Sequence, residues 1–207
     1  MNPRGRFITL EGGEGAGKST QARHIRDWLC ARGRAVVVTR EPGGSPLAEA
    51  IRGLVLDDWP EGVTPETEVL LMFAARAAHL HHTIAPALAA GTDVVCDRFV
   101  DSSFAYQGAG KGVPREALEA LEELTLRGLR PDLTLVLDLP PERGLQRATA
   151  RGDGNRFESE TLSFMARVRA AFLLRAQVDP QRCVVIDADH DEATVRTAIE
   201  GVLEVRL

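Results

Sequence analysis

Cysteine, excess positive charge and long hydrophobic runs are scarce or missing in this chain, and each absence removes a class of protein. Cysteine occurs only at Cys30, Cys96 and Cys183. An odd number, widely spaced and in apolar surroundings, makes no disulfide framework and predicts reduced core residues of a cytoplasmic protein. The formal net charge is −5, which argues against broad, sequence-independent binding to nucleic acid. No apolar run approaches a membrane span, and Arg4 and Arg6 are followed by no apolar leader core. The expectation is a cytoplasmic protein without a membrane partner. Nor is there an internal repeat, a low-complexity tract or a dividing linker. The 207 residues, 44% hydrophobic and 27% charged, suit a single domain over 1–207.

Near the start, the apolar run Phe7-Ile8-Thr9-Leu10 leads directly into Glu11-Gly12-Gly13-Glu14-Gly15-Ala16-Gly17-Lys18-Ser19-Thr20. Every fixed position of the phosphate-loop pattern G-x-x-x-x-G-K-[ST] is filled, from Gly12 to Ser19. Glycines let backbone N–H groups close around phosphate oxygens that side chains would keep out. Lys18 supplies a point charge to the terminal phosphates, Ser19 offers a hydroxyl to Mg²⁺, and a helix beginning near Lys18 aims its positive end at the same place. The chain is therefore expected to bind a nucleoside triphosphate.

Short, β-branched apolar runs at 7–11, 35–39, 93–96, 133–138 and 183–186 alternate with helical patterns at 21–31, 47–56, 65–89, 115–126, 142–150, 159–177 and 192–205. Near-continuous hydrophobicity suits strands covered on both faces, so the pattern predicts an α/β fold: a five-stranded parallel sheet between helical layers. Ligands of such sheets sit beyond the carboxyl ends of the strands. Those ends carry Glu11, then Arg40-Glu41-Pro42-Gly43-Gly44, then Asp97-Arg98. Arginines beside acids here suit a site that holds phosphates and a metal together. Next to it, Asp101 is expected to cap a helix on which Ser103, Tyr106 and Gln107 share a face, while Met72 and Arg76 lie four apart on the helix that begins at Thr64-Pro65. Together they predict a second, heterocyclic substrate. Arg147 and Arg151 share a helical face just before a turn-like stretch, 152–155, and together they read as a lid over 147–157.

These segments resemble bacterial thymidylate kinases. The shared motifs are Glu11–Ser19, Thr39-Arg40-Glu41-Pro42-Gly43-Gly44, Asp97-Arg98, Ser102-Ser103-Phe104-Ala105-Tyr106-Gln107-Gly108 and 131–138. The resemblance covers nearly the whole chain, and the middle motifs are more specific than the phosphate loop. It implies a P-loop kinase fold, ATP and Mg²⁺ as requirements, dTMP as phosphoryl acceptor and a homodimer packed through helices. It places Gly12, Gly13, Glu14, Gly15, Ala16, Gly17, Lys18, Ser19 and Thr20 around the ATP phosphates, and Ser19 with Asp97 at the metal. It gives Lys18, Arg98, Asp97, Arg151 and Arg147 to catalysis. Glu14, Glu41, Arg52, Arg98 and Tyr106 fall around the dTMP sugar and phosphate, and Arg76, Ser103 and Gln107 at the thymine edge. Position 15 is glycine, where one branch of the family has arginine, so the lid arginines are expected to carry that charge. A phenylalanine is expected four residues before Arg76, but Met72 stands there with Phe73 beside it, and both remain candidates for the base.

Rival readings are another nucleoside monophosphate kinase and a non-catalytic nucleotide-binding regulator. A guanine-reading N-K-x-D segment is missing, which argues against a regulatory GTPase. The strand at 133–138 ends in one acid, unlike the paired acids of DNA-associated ATPases. His79, His81 and His82 lack cysteine or carboxylate companions at ligand spacing and are read as helix surface.

Overall fold

The computed structural model describes residues 4–149 and 161–207. Five strands, β1 (Phe7–Glu11), β2 (Val36–Arg40), β3 (Asp93–Asp97), β4 (Leu133–Asp138) and β5 (Cys183–Asp187), form one parallel sheet in the order β2-β3-β1-β4-β5. β1 is central and buried along its length. The chain crosses from β1 to β2, then back through β3 to β4 on the other side of β1. That reversal opens a crevice at the carboxyl end of β1, where the glycine-rich segment lies.

Helices α1 (Lys18–Cys30), α2 (Pro46–Leu56), α3 (Pro65–His79), α4 (Ala85–Ala89), α5 (Val100–Ser103), α6 (Arg115–Leu126), α7 (Pro141–Thr149), α8 (Leu162–Val178) and α9 (Glu192–Arg206) surround the sheet. Alternation along β1 sorts its side chains: Ile8 and Leu10 pack with Ile25, Leu29, Val195 and Ile199 of α1 and α9. Phe7 points the other way, toward Phe73, Ile84, Leu88, Phe99 and Leu118. A third cluster joins Tyr106 and Val136 to Phe164, Val168 and Phe172 of α8. Each fully buried side chain of this kind stabilises by about 1.5–3 kcal/mol. Thr9, buried between the apolar layers, meets Thr134 hydroxyl to hydroxyl at 2.7 Å, which satisfies both.

Helix starts follow their signals. Ser45 and Thr64 precede Pro46 and Pro65 and accept from the N–H of Ala48 and Thr67. Asp191 caps α9 through the N–H of Thr194 at 2.9 Å.

Four expectations need correction. The pattern at 65–89 is not one α-helix: Leu80–Ile84 widens to i→i+5 bonding before α4. Pro86 has no N–H to continue the α ladder, which accounts for a break near it. Asp101 is not a cap; it lies within α5, buried, and pairs with Arg175 and with Arg182, whose Nη1 is 2.7 Å from its Oδ2. Two guanidiniums outweigh one local N–H. Cys30 is exposed, while Cys96 and Cys183 are buried and free. His79 is buried rather than on the surface. Among the described residues, no helix is long and apolar enough to cross a membrane, and no cluster of three or more His, Cys, Asp or Glu could hold a metal.

Candidate active site

The segment between β1 and α1 turns at Gly12, Gly15 and Gly17, with φ of 135°, 73° and 86°, angles that side chains disfavour. Crowding adds to this at Gly12, where a Cβ would stand 2.4 Å from the Leu137 carbonyl oxygen. Gly17 is the N-cap of α1 and offers no side-chain acceptor. The leading N–H groups of α1 are thus left for an anion. Lys18 folds back over the loop and donates to the carbonyls of Gly12 at 3.2 Å and Gly13 at 2.7 Å. Burial, and then the positive charge of Arg98, bring its ammonium down to about 8. A phosphate arriving there would restore the full charge.

A cavity of about 220 Å³ opens beside the loop, lined by Glu14, Lys18, Ser19, Arg52, Asp97 and Arg98 together with Met72, Tyr106 and Gln107. The Ser19 hydroxyl donates to Asp97 Oδ2 at 2.5 Å, so an oxygen from the first turn of α1 and one from the end of β3 meet at the loop. Hard oxygen ligands, few in number, suit Mg²⁺, which keeps several waters and shares phosphate oxygens.

Arg98, at φ 68°, reaches back across β1. Its Nη1 donates to Gly12 O at 3.0 Å and Ser102 Oγ at 3.2 Å; Nη2 donates to Glu14 Oε1 at 2.7 Å and Tyr106 Oη at 3.0 Å. Burial opposes its charge, but Tyr106, Glu14, Asp97 and Glu11 outweigh it and raise the guanidinium above its ordinary value. The turn that carries Arg98 is tied to Glu11. This buried carboxylate accepts from the N–H of Phe99 at 2.9 Å and of Ser102 at 3.3 Å, and from Ser102 Oγ at 2.6 Å. Burial, then Asp101, push the Glu11 carboxyl up to about 7. Arg52 on α2 lines the cavity, its Nη1 on Pro42 O at 2.8 Å, and burial followed by Arg40 lowers it from its ordinary value.

Arg76 is 1% exposed and held on three sides. Its Nε donates to Glu41 Oε2 at 2.7 Å, and its Nη2 to Phe99 O at 3.2 Å and Ser103 Oγ at 3.1 Å. His79 Nδ1 is 3.0 Å from Glu41 Oε1, and its Nε2 is 2.7 Å from Thr39 Oγ1. Gln107 lies one turn beyond Ser103. Buried side-chain polar atoms without a hydrogen-bond partner among the described residues are Gln21 Oε1, Arg76 Nη1 and Gln107 Oε1. Such atoms are costly unless something fills the demand. Met72 lines the cavity. Phe73 is in the core, its ring 4.6 Å from the Arg76 guanidinium carbon.

The fold thus brings together Gly15, Gly17, Lys18, Ser19, Thr20, Glu14, Glu41, Arg52, Met72, Asp97, Arg98, Tyr106 and Gln107 around one cavity. Ser103 stands behind Arg76, and Ser102 lines the wall instead. Arg147 points elsewhere, donating to Ala188 O at 3.0 Å and His190 O at 3.2 Å. Arg151 and most of the expected lid fall outside the described residues. Sequence reading missed Glu68 and Lys111, which bear on Gln107; the spacing 68-72-76 on one helix was the available signal.

The thymidylate kinase family model matches residues 10–199. A thymidylate kinase of Caulobacter vibrioides is 56% identical over 98% of both chains. One from Chromohalobacter salexigens is 54% identical, over 100% of this chain and 98% of its own length. The crystal structure of a thymidylate kinase from Ehrlichia chaffeensis superposes with a TM-score of 0.78 at 32% identity, covering 97% of this chain and 99% of that one. With a matching family model, relatives of this identity over the full length, and the same architecture around the same phosphate loop, this chain belongs to the thymidylate kinase family.

Proposed function

We propose that the protein transfers the γ-phosphoryl group of MgATP to dTMP, giving dTDP and ADP. The observation that carries this reading is a pair of buried side-chain polar atoms without a partner among the described residues, the donor Arg76 Nη1 and the acceptor Gln107 Oε1, the latter on a residue that lines the cavity. Thymine presents the complement, a 4-carbonyl beside an N3–H. Cytosine presents the reverse. Met72, with Leu56 and Pro42 also in the wall, supplies apolar surface for the ring and its methyl group.

The attacking oxygen belongs to a phosphate that is already anionic, so no general base is needed. Positioning and charge neutralisation carry the step. Arg98 and Arg52 hold the acceptor phosphate, and Lys18 with the loop N–H groups holds the donor phosphates. Ser19 and Asp97 would hold Mg²⁺, which when bound would neutralise negative charge on the donor phosphates. Tyr106 and Glu14, tied to Arg98, crowd the sugar. The same reading includes a homodimer, supported by an apolar groove along α3 and α6 where Leu70 and Leu124 are 58% and 68% exposed; sedimentation at monomer mass would remove that part.

The test is incubation with MgATP and a panel of nucleoside monophosphates. dTMP is expected to be turned over best. Lacking the methyl, dUMP should be poorer by about 1–3 kcal/mol of discrimination. Equal turnover of CMP or AMP would sink the assignment.

A further inference from the structure

Glu68 stands on α3 one turn before Met72 and two before Arg76, on the face that looks into the site. Its side chain is fully buried. Oε1 accepts from Gln107 Nε2 at 2.9 Å, and Oε2 accepts from Lys111 Nζ at 2.9 Å. Gln107 and Lys111 are themselves four apart, so one carboxylate bridges two turns of the opposite segment.

A carboxylate paired with an ammonium offers acceptors only. The Gln107 amide must therefore turn its NH₂ group toward Glu68. An amide is planar, so its oxygen then lies on the other edge, the edge left without a partner. Gln107 lines the cavity. The reversed amide would present a donor there, facing the N3–H of thymine donor to donor and fitting the bare N3 of cytosine instead.

We propose that Glu68, buttressed by Lys111, is a positioning residue that sets the hydrogen-bond polarity read at N3 of the pyrimidine, by holding the Gln107 amide in one orientation. This rests on the dTMP reading above. Arg76 checks position 4 of the ring from one side; Glu68, through Gln107, fixes what is accepted at position 3. A buried carboxylate that only filled space would have no such effect on base choice.

The experiment compares kcat/KM for dTMP and for 5-methyl-dCMP, which keeps the methyl, sugar and phosphate but reverses both hydrogen-bonding positions. The main variant is Glu68→Leu/Lys111→Met, because replacing a buried ion pair by apolar residues of similar volume generally preserves folding. It should raise KM for dTMP by roughly tenfold with kcat little changed, the loss of one oriented hydrogen bond away from the reacting atoms. The dTMP to 5-methyl-dCMP ratio should narrow by roughly the same factor. The milder Glu68→Gln, with one accepting and one donating edge, should narrow it by about threefold. A ratio equal to the parent's in both variants, with the two nucleotides affected alike, would show a merely structural role and overturn the proposal. A parent enzyme that shows no preference for dTMP overturns the dTMP assignment itself, and the role of Glu68 with it.

Discussion

Gly15 and Gly144 meet backbone to backbone. A Cβ on Gly15 would stand 2.4 Å from the Gly144 carbonyl oxygen, and one on Gly144 would stand 2.4 Å from the carbonyl oxygen of Glu14. The phosphate loop and α7 are therefore docked with no room for a side chain at either position. An arginine at position 15, as in the other branch of the family, would have to push α7 away.

Gly144→Ala follows from that contact. The loop or the helix must shift, at about 1–3 kcal/mol for overpacking. The expected result is a lower Tm and a raised KM for ATP, with KM for dTMP changed less. Parental thermal unfolding together with parental KM for ATP would show that the contact is looser than the geometry states.

Lys18→Ala removes the ammonium that donates to the loop carbonyls of Gly12 and Gly13. The loss of a preorganised charge at the transferred phosphoryl group should lower kcat by roughly 10²–10³. Steady-state kinetics at saturating ATP and dTMP check this, and a purely KM effect would place Lys18 in ground-state binding only.

Met72 and Phe73 make opposite predictions. Sulfur against a π-system is worth up to about 1.5 kcal/mol, close to aromatic stacking. Met72→Phe should thus change KM for dTMP only a few-fold. Phe73, 2% exposed in the core, should lose roughly 3–5 kcal/mol of stability as alanine. A Phe73→Ala protein with parental Tm and weak dTMP binding would reverse the two roles.

Glu11 predicts a pH dependence of stability. Its carboxyl is pushed from 4.5 to about 7 in the folded state. Between those values the unfolded chain has released the proton and the folded chain retains it, so stability falls as pH rises through this window. For one proton the steepest slope is about 1.4 kcal/mol per pH unit. Glu11→Gln should flatten the curve between pH 5 and 7, read from denaturant midpoints. Parallel curves for the two proteins would place the Glu11 titration outside the window.

The sequence by itself determined the sheet, the phosphate loop and the cations around it. These are legible because they rest on local rules: two-faced burial makes continuous apolar strands, and glycine at positive φ makes the loop. Its reading of Met72 and Arg76 as neighbours came from helical spacing, which is also local. What only the tertiary structure decided lies between segments far apart in the chain. His79 looked like helix surface because periodicity does not show that Glu41 and Thr39 would cover it. Asp101 looked like a cap because Arg175 and Arg182 arrive from α8 and from the start of β5. Ser103 and Gln107 share a face by spacing, but only the fold shows that the Ser103 hydroxyl accepts from Arg76 Nη2. The direction of the Gln107 amide depends on Glu68, 39 residues earlier, since a planar amide has two edges and only a fixed acceptor beside one of them can choose between them.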